Sequence, residues 1–286
     1  MTAPAHGAEE ALRALGDGEP ERALALAADG AGEDPLAAAL AAHLGDLTAD
    51  PYREPTAFAA FIDHGDNPAL YGQVIAAVAE SHAALAPARV LDVGCGDGRV
   101  TAATLTGATA TVDLVEPSAD LLARAEGALA STDVEVRPHP QGVVDFLQEG
   151  DDDVRWDLVQ STFALHTLDP ADRTRTLAAL AARTDHLLVA EFDVPALPER
   201  SPAHLAHLAD RYRRGLATYR DHPEVVTGFL LPVLVGQLDP ARPRLTHEQT
   251  KEAWAEELVE AGWGVVTIRS LFAHWWAPAV LLHASR

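Results

Sequence analysis

The sequence has little cysteine and few basic residues, and each shortage excludes a class of protein. A single cysteine, Cys95, rules out a framework of internal disulfides and is typical of a reducing compartment. Only 21 basic residues accompany 43 acidic ones, for a formal net charge of −22. Because Lys and Arg supply most of the affinity for nucleic-acid phosphates and for anionic lipid surfaces, we expect neither a nucleic-acid nor a membrane partner.

Long apolar runs are absent as well. No uninterrupted apolar stretch is long enough to span a bilayer, and no basic segment followed by an apolar run opens the sequence. Hydrophobic residues still make up 48% of the 286 positions, which is ample for a packed core. We therefore expect a globular, cytoplasmic protein.

Three regions with different sequence patterns follow one another along the chain. Ala- and Leu-rich segments separated by turn clusters predict a cap or lid of short helices over residues 1–68. Residues 69–286 form the predicted main domain, in which apolar strands alternate with helices from about Val90 to Glu191. This alternation predicts an α/β fold, with a mostly parallel sheet and helices on both faces. An insertion at about 196–245 interrupts the alternation of strands and helices.

The C-terminal third predicts one more helix and two closing strands. The stretch Thr246–Gln249 has the form of a capping box at the start of a helix. The apolar runs Val265–Leu271 and Ala279–His283 predict strands. Between these strands, the adjacent Trp275 and Trp276 would point to opposite faces of an extended chain.

The strongest local signal is a glycine loop where the first predicted strand turns into a helix, Asp92-Val93-Gly94-Cys95-Gly96-Asp97-Gly98. Its glycines allow a sharp turn and a close approach of the backbone to a ligand, and the free N–H groups of the helix face the same place. The next strand ends in Glu116, 18 positions after Gly98. A carboxylate there can accept hydrogen bonds from two ribose hydroxyls, so the pattern predicts an adenosine-containing ligand.

Two residues of this loop decide between adenosine ligands. A dinucleotide fingerprint needs a third glycine where Arg99 stands. Asp92 is unsuited to a pyrophosphate but suits an ammonium group. S-adenosylmethionine carries an amine, a sulfonium and a ribose without phosphate, so the chemistry favours it over a nicotinamide cofactor.

Three segments resemble the motifs of the class I S-adenosylmethionine-dependent methyltransferases, namely Val90–Gly98, Val112–Ser118 and Trp156–His166. The resemblance implies a Rossmann-like fold of seven strands, the last antiparallel, and methyl transfer that leaves S-adenosylhomocysteine. Gly228–Gln237 and Trp275–Pro278 resemble actinobacterial methyltransferases of natural-product pathways. The implied acceptor is a small organic molecule such as an aromatic, indole or amino-acid-derived scaffold.

The resemblance also implies a set of cofactor contacts. Asp92 and the loop would hold the methionine part and Glu116 the ribose, and Pro117 or Ser118 would lie against the adenine. Gln141 stands where family members often place an acid for the adenine amine, and Tyr71 would cover the cofactor. The full set of implied cofactor-binding residues is Tyr71, Asp92, Gly94, Cys95, Gly96, Glu116, Pro117, Gln141, Gly142, Gln160 and Ser161.

Candidates for a general base follow the fourth and fifth strands, where such sheets bind ligands. They are His166 and Glu191; the alternative for each is a purely structural role. The insertion would shape the acceptor pocket, and the substrate-binding candidates are Phe163, Tyr212, Tyr219, His222 and Trp275. No metal is expected, because no second Cys or His motif supports the helical spacing of His204 and His207.

Three alternatives remain open at this stage, one of them a nicotinamide-dependent dehydrogenase, which would need a loop suited to phosphate. A protein of this fold can use bound S-adenosylmethionine without methyl transfer, as a catalyst of cyclisation or rearrangement. A protein-binding module is the weakest alternative, because the glycine loop and Glu116 would then have no purpose. The N-terminal helices further suggest a homodimer.

Overall fold

A computed structural model describes residues 6–45, 55–151, 153–241, 244 and 246–286. The chain divides into two compact units, described separately here. Unit 1 comprises Met1–Pro68, Ala196–Leu245 and His274–Ala277, and unit 2 comprises Ala69–Pro195, Thr246–Ala273 and Pro278–Arg286. The roles predicted for residues 1–68 as a lid and for residues 196–245 as a pocket stay predictions. The parts of those ranges at 1–5, 46–54, 242–243 and 245 lie outside the described residues.

Unit 1 is helical in its described parts. Its helices are α1 (His6–Gly16), α2 (Pro20–Gly30), α3 (Pro35–Gly45), α4 (Pro55–Asp63), α10 (Pro202–Thr218), α11 (Pro223–Val225) and α12 (Leu231–Leu238), with a π-helical turn at Val226–Leu230. Glycines let α1 and α2 approach closely, since a Cβ on Gly7 would lie 2.8 Å from the Cα of Gly30. The Arg213 guanidinium donates to the Asp34 carboxylate at 2.8 and 3.1 Å and so ties α10 to the start of α3.

Unit 2 contains one seven-stranded sheet in the order β3-β2-β1-β4-β5-β7-β6. The strands are β1 (Arg89–Val93), β2 (Thr111–Val115), β3 (Glu135–His139), β4 (Leu158–Thr162), β5 (His186–Phe192), β6 (Val265–Ala273) and β7 (Pro278–Ser285). The first five are parallel, and β7 runs antiparallel to both β5 and β6. This arrangement confirms the predicted Rossmann-like class I fold.

Helices cover the central strands β1, β2, β4 and β5, which are buried on both faces, as parallel strands are. They are α5 (Asn67–Leu85), α6 (Arg99–Thr104), α7 (Ala119–Leu129), α8 (Val143–Glu149), α9 (Pro170–Arg183) and α13 (Lys251–Glu260). Side-chain caps begin three of them: Ser118 accepts from the Leu121 N–H, Asp169 from the Ala171 N–H and Thr250 from the Ala253 N–H. None of the helices in the described ranges combines the length and the apolar composition that crossing a lipid bilayer requires.

The start of α13 differs from the prediction. The capping box expected at Thr246 is wrong, because the helix begins four residues later, where the Thr250 hydroxyl accepts from the Ala253 N–H at 3.1 Å. The preceding residues are held by another segment instead. The Val194 N–H donates to the Gln249 carbonyl at 3.1 Å, and this backbone pairing keeps the chain out of a helix.

The extended chain expected around the two tryptophans is also wrong. The segment between β6 and β7 bends, and the Trp276 N–H donates to Nδ1 of His274 at 3.3 Å. The rings of Trp275 and Trp276 both lie edge-on to Tyr212, each with its centroid 5.9 Å from the tyrosine centroid. The two indoles therefore pack around one side chain of unit 1 rather than facing apart.

Candidate cofactor and catalytic site

The glycine loop follows β1 at the carboxyl edge of the sheet. Gly94, Gly96 and Gly98 have φ values of +70°, +55° and +74°, which L side chains rarely adopt. A Cβ on Gly94 would lie 2.3 Å from the Ala164 Cβ, and one on Gly98 would lie 2.7 Å from the Ala125 Cα. A Cβ on Gly96 would meet no atom of the described residues within 4 Å. Two of the glycines are therefore required by packing, whereas the third borders open space.

Glu116 is fastened to this loop. One carboxylate oxygen accepts from the Gly96 N–H at 3.1 Å, and the other accepts from the Ser118 N–H at 2.9 Å. A carboxylate has about four lone-pair positions, so acceptor capacity remains on both oxygens. The side chain is thus preorganised beside the open face of Gly96 and can accept hydrogen bonds from a diol.

Asp92 is buried beneath the loop, with only 2% of its surface exposed. The Thr101 hydroxyl donates to its carboxylate, and the Gln160 amide nitrogen donates to the same oxygen at 3.0 Å. Burial raises the pKa of Asp92 to about 6; the hydrogen bonds from Thr101 and Gln160 oppose that rise, and the charge of Glu116 adds to it. A cation bound nearby would therefore favour the ionised form of Asp92 and lower this pKa.

Gln160 and Ser161, on β4, were predicted to line the cofactor. Gln160 is 1% exposed, and its amide also donates to the Thr101 hydroxyl at 3.0 Å. The Ser161 hydroxyl is buried and donates to the Val93 carbonyl at 2.9 Å. The contacts described for both side chains are to protein atoms, so their direct contact with a ligand stays a prediction.

Aromatic rings surround the tip of β4. Phe163 has a φ of +52°, which is strained for a bulky residue, and its ring stacks on Phe192 with a centroid distance of 4.6 Å. Tyr71, on α5, lies edge-on to Phe163 at 6.0 Å, and the Arg99 guanidinium lies 5.3 Å from the Tyr71 ring centroid. Burial raises the pKa of Tyr71 to about 12, so its hydroxyl stays protonated.

The remaining predicted cofactor residues lie at the ends of β1, β2 and β3. Pro117 follows Glu116, and the Gln141 N–H donates to the His139 carbonyl at 2.9 Å just before Gly142 starts α8. Cys95 is partly buried in the loop, and burial together with the charges of Asp92 and Glu116 raises its thiol pKa. The thiol therefore stays protonated. The structure thus brings all of the predicted cofactor residues to unit 2.

His166 and Glu191 form a buried pair after β4 and within β5. Nδ1 of His166 lies 2.9 Å from one Glu191 oxygen, and the backbone N–H of His166 donates to the other at 3.1 Å. Glu191 is 1% exposed and the His166 side chain 14%. Burial acts to lower the pKa of His166, but the charge and the hydrogen bond of Glu191 outweigh it, and the pKa is raised. Nε2 is left as the nitrogen that can exchange a proton with a ligand.

A cluster of buried side chains in unit 2 holds the segment that contacts the backbone of His166. The Arg173 guanidinium donates to Glu257 at 2.9 Å and to the His247 carbonyl at 2.8 Å, and it lies 4.5 Å from the Trp254 ring centroid. The His247 N–H in turn donates to the His166 carbonyl at 2.6 Å. Arg173 therefore holds the segment that fixes the backbone of His166.

Four predicted substrate residues lie in unit 1 rather than in unit 2. Tyr212, Tyr219 and Trp275 are buried, and His222 stacks on His64 with a centroid distance of 3.9 Å. The Tyr219 hydroxyl is engaged within the unit: it donates to the Phe61 carbonyl at 3.2 Å and accepts from the Asn67 amide at 2.8 Å. Contact of these four residues with an acceptor stays a prediction. No metal-ligating cluster occurs among the residues that the structure describes.

Sequence reasoning missed three residues of the site: His82, Thr101 and Arg173. All three are buried polar side chains on helices, and each bonds to a partner that is distant in sequence or on another element. Thr101 offered a weak signal, because it lies one helical turn after the glycine loop. His82 and Arg173 lie in helices that look like ordinary sheet cover.

Comparison with known proteins agrees with this geometry. Residues 90–185 match the sequence model of a family described as a methyltransferase domain. This range begins in β1, contains the glycine loop, Glu116 and His166, and ends just before β5. No curated protein matches the chain significantly.

Solved methyltransferase structures share the fold at low identity. The mitomycin 7-O-methyltransferase MmcR is 19% identical, with a TM-score of 0.52, over 82% of this chain and 59% of its own. The 1,6-didemethyltoxoflavin-N1-methyltransferase of Burkholderia thailandensis is 20% identical, with a TM-score of 0.50, over 74% of this chain and 77% of its own. The methyltransferase domain of bacterial CtHen1-C is 15% identical, with a TM-score of 0.51, over 76% of this chain and 98% of its own. The chain therefore shares the fold of these methyltransferases, and its residues 90–185 match a methyltransferase domain.

Proposed function

We propose that this protein binds S-adenosylmethionine at the glycine loop and transfers the methyl group to a small organic acceptor, with His166 as general base. One observation carries the proposal. The open space at Gly96 is bordered by the preorganised carboxylate of Glu116, and Asp92 lies buried beneath the same loop. A carboxylate that can accept hydrogen bonds from a diol fits the ribose of this cofactor, and a buried anion fits its ammonium group. Neither acid fits a phosphate.

The chemistry of the transfer asks little of the protein beyond positioning. When bound, S-adenosylmethionine supplies a methyl carbon whose bond to sulfur breaks as the acceptor atom attacks in line. The protein holds the reactants collinear, which can supply much of the rate acceleration. The stacked rings of Phe163 and Phe192 provide an apolar wall that would exclude water.

His166 would take the proton that the acceptor loses. Its Nε2 would accept that proton, while Glu191 fixes the tautomer at Nδ1 and stabilises the imidazolium. A histidine whose ring is oriented by a carboxylate suits acceptors with an acidic O–H or N–H group, since such groups become good nucleophiles on deprotonation.

The acceptor class follows from the same rings. We expect a flat aromatic, indole or amino-acid-derived scaffold of natural-product metabolism to lie against Phe163 and Phe192. MmcR and the toxoflavin-pathway enzyme, whose names specify methylation at oxygen and at nitrogen, support a small-molecule acceptor. The homodimer and the cytoplasmic location expected from the sequence stay predictions.

Removal of either acidic side chain should weaken cofactor binding. For Glu116→Ala and for Asp92→Ala we expect S-adenosylhomocysteine affinity to fall about 10- to 100-fold, the worth of a charged hydrogen bond. Isothermal titration calorimetry of the purified variants measures the effect. Glu135→Ala, at the exposed start of β3, is the matched control and should bind like the wild type. Unchanged affinity in both site variants, or a wild type that prefers NAD, would refute the assignment.

Binding should also weaken in acid because of Asp92. The ligand's ammonium favours the carboxylate, so binding lowers the pKa of Asp92 from about 6 and becomes costly once that group is protonated. Between pH 7 and pH 5 we expect S-adenosylhomocysteine affinity to fall about tenfold, as the ionised fraction does. Titrations at several pH values test this. Asp92→Asn should bind weakly with a flat profile; a profile as steep as that of the wild type would assign the effect to another group.

A further inference from the structure

A histidine outside the recognised motifs is connected to the candidate cofactor site. His82 lies near the end of α5 and is fully buried, with 0% of its surface exposed. Its Nε2 is 2.9 Å from the amide oxygen of Gln160, 78 positions away in the sequence. Nδ1 of His82 has no hydrogen-bond partner among the described residues. The bond to Gln160 is therefore the one polar contact described for this ring.

Gln160 passes this contact on to the acid beneath the glycine loop. Its amide nitrogen donates to Asp92 and to the Thr101 hydroxyl, both at 3.0 Å, and Thr101 donates to the same Asp92 oxygen. The four side chains form a closed buried network. Each donor in it has an acceptor, and Asp92 receives two hydrogen bonds on one side.

The amide of Gln160 can occupy its site in two orientations, and His82 selects between them. With the oxygen toward His82, the Nε2–H donates to it and the amide nitrogen faces Asp92. With the amide reversed, its oxygen would face the carboxylate of Asp92 and its nitrogen would need a deprotonated Nε2, which leaves an unpaired N–H on Nδ1. Buried donors without acceptors and buried oxygens facing each other are costly, so the first arrangement is preferred.

We propose that His82 is a positioning residue for the cofactor. Its Nε2–H fixes the amide of Gln160, and Gln160 with Thr101 holds the Asp92 carboxylate in the place where it receives the amino group of S-adenosylmethionine. The inference rests on the proposed function. It adds that the affinity for the amino-acid end of the cofactor is set from α5, the helix that precedes β1, by a side chain that touches no ligand.

Two ligands separate this role from simple packing. S-adenosylhomocysteine carries the amino-acid end, whereas 5′-methylthioadenosine has the same nucleoside without it. His82→Phe keeps a ring of similar shape and removes the donor. We expect its affinity for S-adenosylhomocysteine to fall about tenfold, the worth of one buried polar contact, and its affinity for 5′-methylthioadenosine to stay within about twofold.

Further variants keep the test decisive. His82→Gln can still reach Gln160 with an N–H, and we expect it to restore most of the affinity. His82→Asn is too short to reach and should behave like His82→Phe, which covers a failure of that variant to fold. Ser81→Ala, the neighbour whose hydroxyl donates only to the Ala77 carbonyl, is the matched control.

Calorimetry with both ligands gives clear outcomes. Selective loss of S-adenosylhomocysteine binding, with rescue by glutamine, supports the inference. Equal losses for the two ligands would assign His82 to packing, and unchanged binding would remove it from the network; either result overturns the inference and leaves the proposed function standing. A wild type that binds neither ligand overturns both.

Discussion

Replacement of His166 by alanine should lower kcat about 10²- to 10⁴-fold, the usual contribution of a general base. Affinity for S-adenosylhomocysteine should stay within about threefold, because the contacts described for the ring go to Glu191 and not to the glycine loop. The assay measures formation of S-adenosylhomocysteine with the fastest acceptor from a panel of phenols, catechols, indoles and arylamines. His186→Asn, at the opposite end of β5, is the matched control and should retain full activity.

The pH profile separates a base from a packing residue. A general base must be neutral, so activity should rise with pH through the pKa of His166, which Glu191 raises above its usual value of 6.5. In Glu191→Gln the opposing effect of burial prevails and that pKa falls. The limb of the profile should therefore shift to lower pH while the maximal rate drops. An unshifted profile would assign the limb to a group other than His166, and a His166→Ala enzyme with wild-type kcat would mean that the acceptor needs no base here.

The losses of activity caused by the His166 and Glu191 substitutions should not be additive. Glu191 acts through His166, so its removal should matter little once the imidazole is gone. The double variant should be about as slow as His166→Ala alone. Additive losses would instead indicate that Glu191 contacts the acceptor directly.

Much of unit 2 could be predicted from the sequence because its signals are local. A buried parallel strand is a short apolar run. The predicted start of the first strand at Val90, the end of the second at Glu116 and the end of the alternation at Glu191 each lie one residue from the ends of β1, β2 and β5. The glycine loop and Glu116 could be found because a turn with positive φ requires particular residues at particular spacings. Signals of this kind depend on neighbouring residues alone, so they can be recognised without knowledge of the tertiary structure.

The errors arose where distant parts of the chain decide the structure. Thr246–Gln249 satisfies a capping rule, yet β-type pairing of Gln249 and the hydrogen bond from His247 keep it from starting a helix. Trp275 and Trp276 were assigned to an extended chain, yet they bend around Tyr212. In both places tertiary contacts outweigh a local preference of modest size.

Of the candidate site, the sequence predicts the glycine loop and the residues at the strand ends, but not the hydrogen bonds that hold them. His82 lies 78 residues from Gln160, and nothing in the spacing of either predicts that they meet. Arg173 likewise reaches Glu257 across 84 positions. Buried hydrogen-bond networks depend on how helices settle on a sheet, so they become visible only with the fold.

A pair of glycine variants tests the loop itself. In Gly94→Ala the new methyl group would lie 2.3 Å from the Ala164 Cβ at a φ of +70°, so both overpacking and backbone strain oppose it. We expect the free energy of unfolding to fall by about 2–4 kcal/mol, and Tm by about 5–15 °C. In Gly96→Ala the φ is +55° but the methyl group meets no described atom, so only the strain of about 1 kcal/mol should appear.

Ligand binding should rank the two variants differently from stability. The space beside Gly96 is where the backbone would approach the cofactor, so its methyl group should cost at least about tenfold in S-adenosylhomocysteine affinity despite near-normal stability. Gly107→Ala, in open space at an ordinary φ, is the matched control for both measurements. Thermal melts and calorimetry on the three variants measure both quantities. If Gly96→Ala binds S-adenosylhomocysteine as the wild type does, the open face of the loop is not the cofactor site, because a ligand that the backbone must approach closely cannot tolerate an added carbon there.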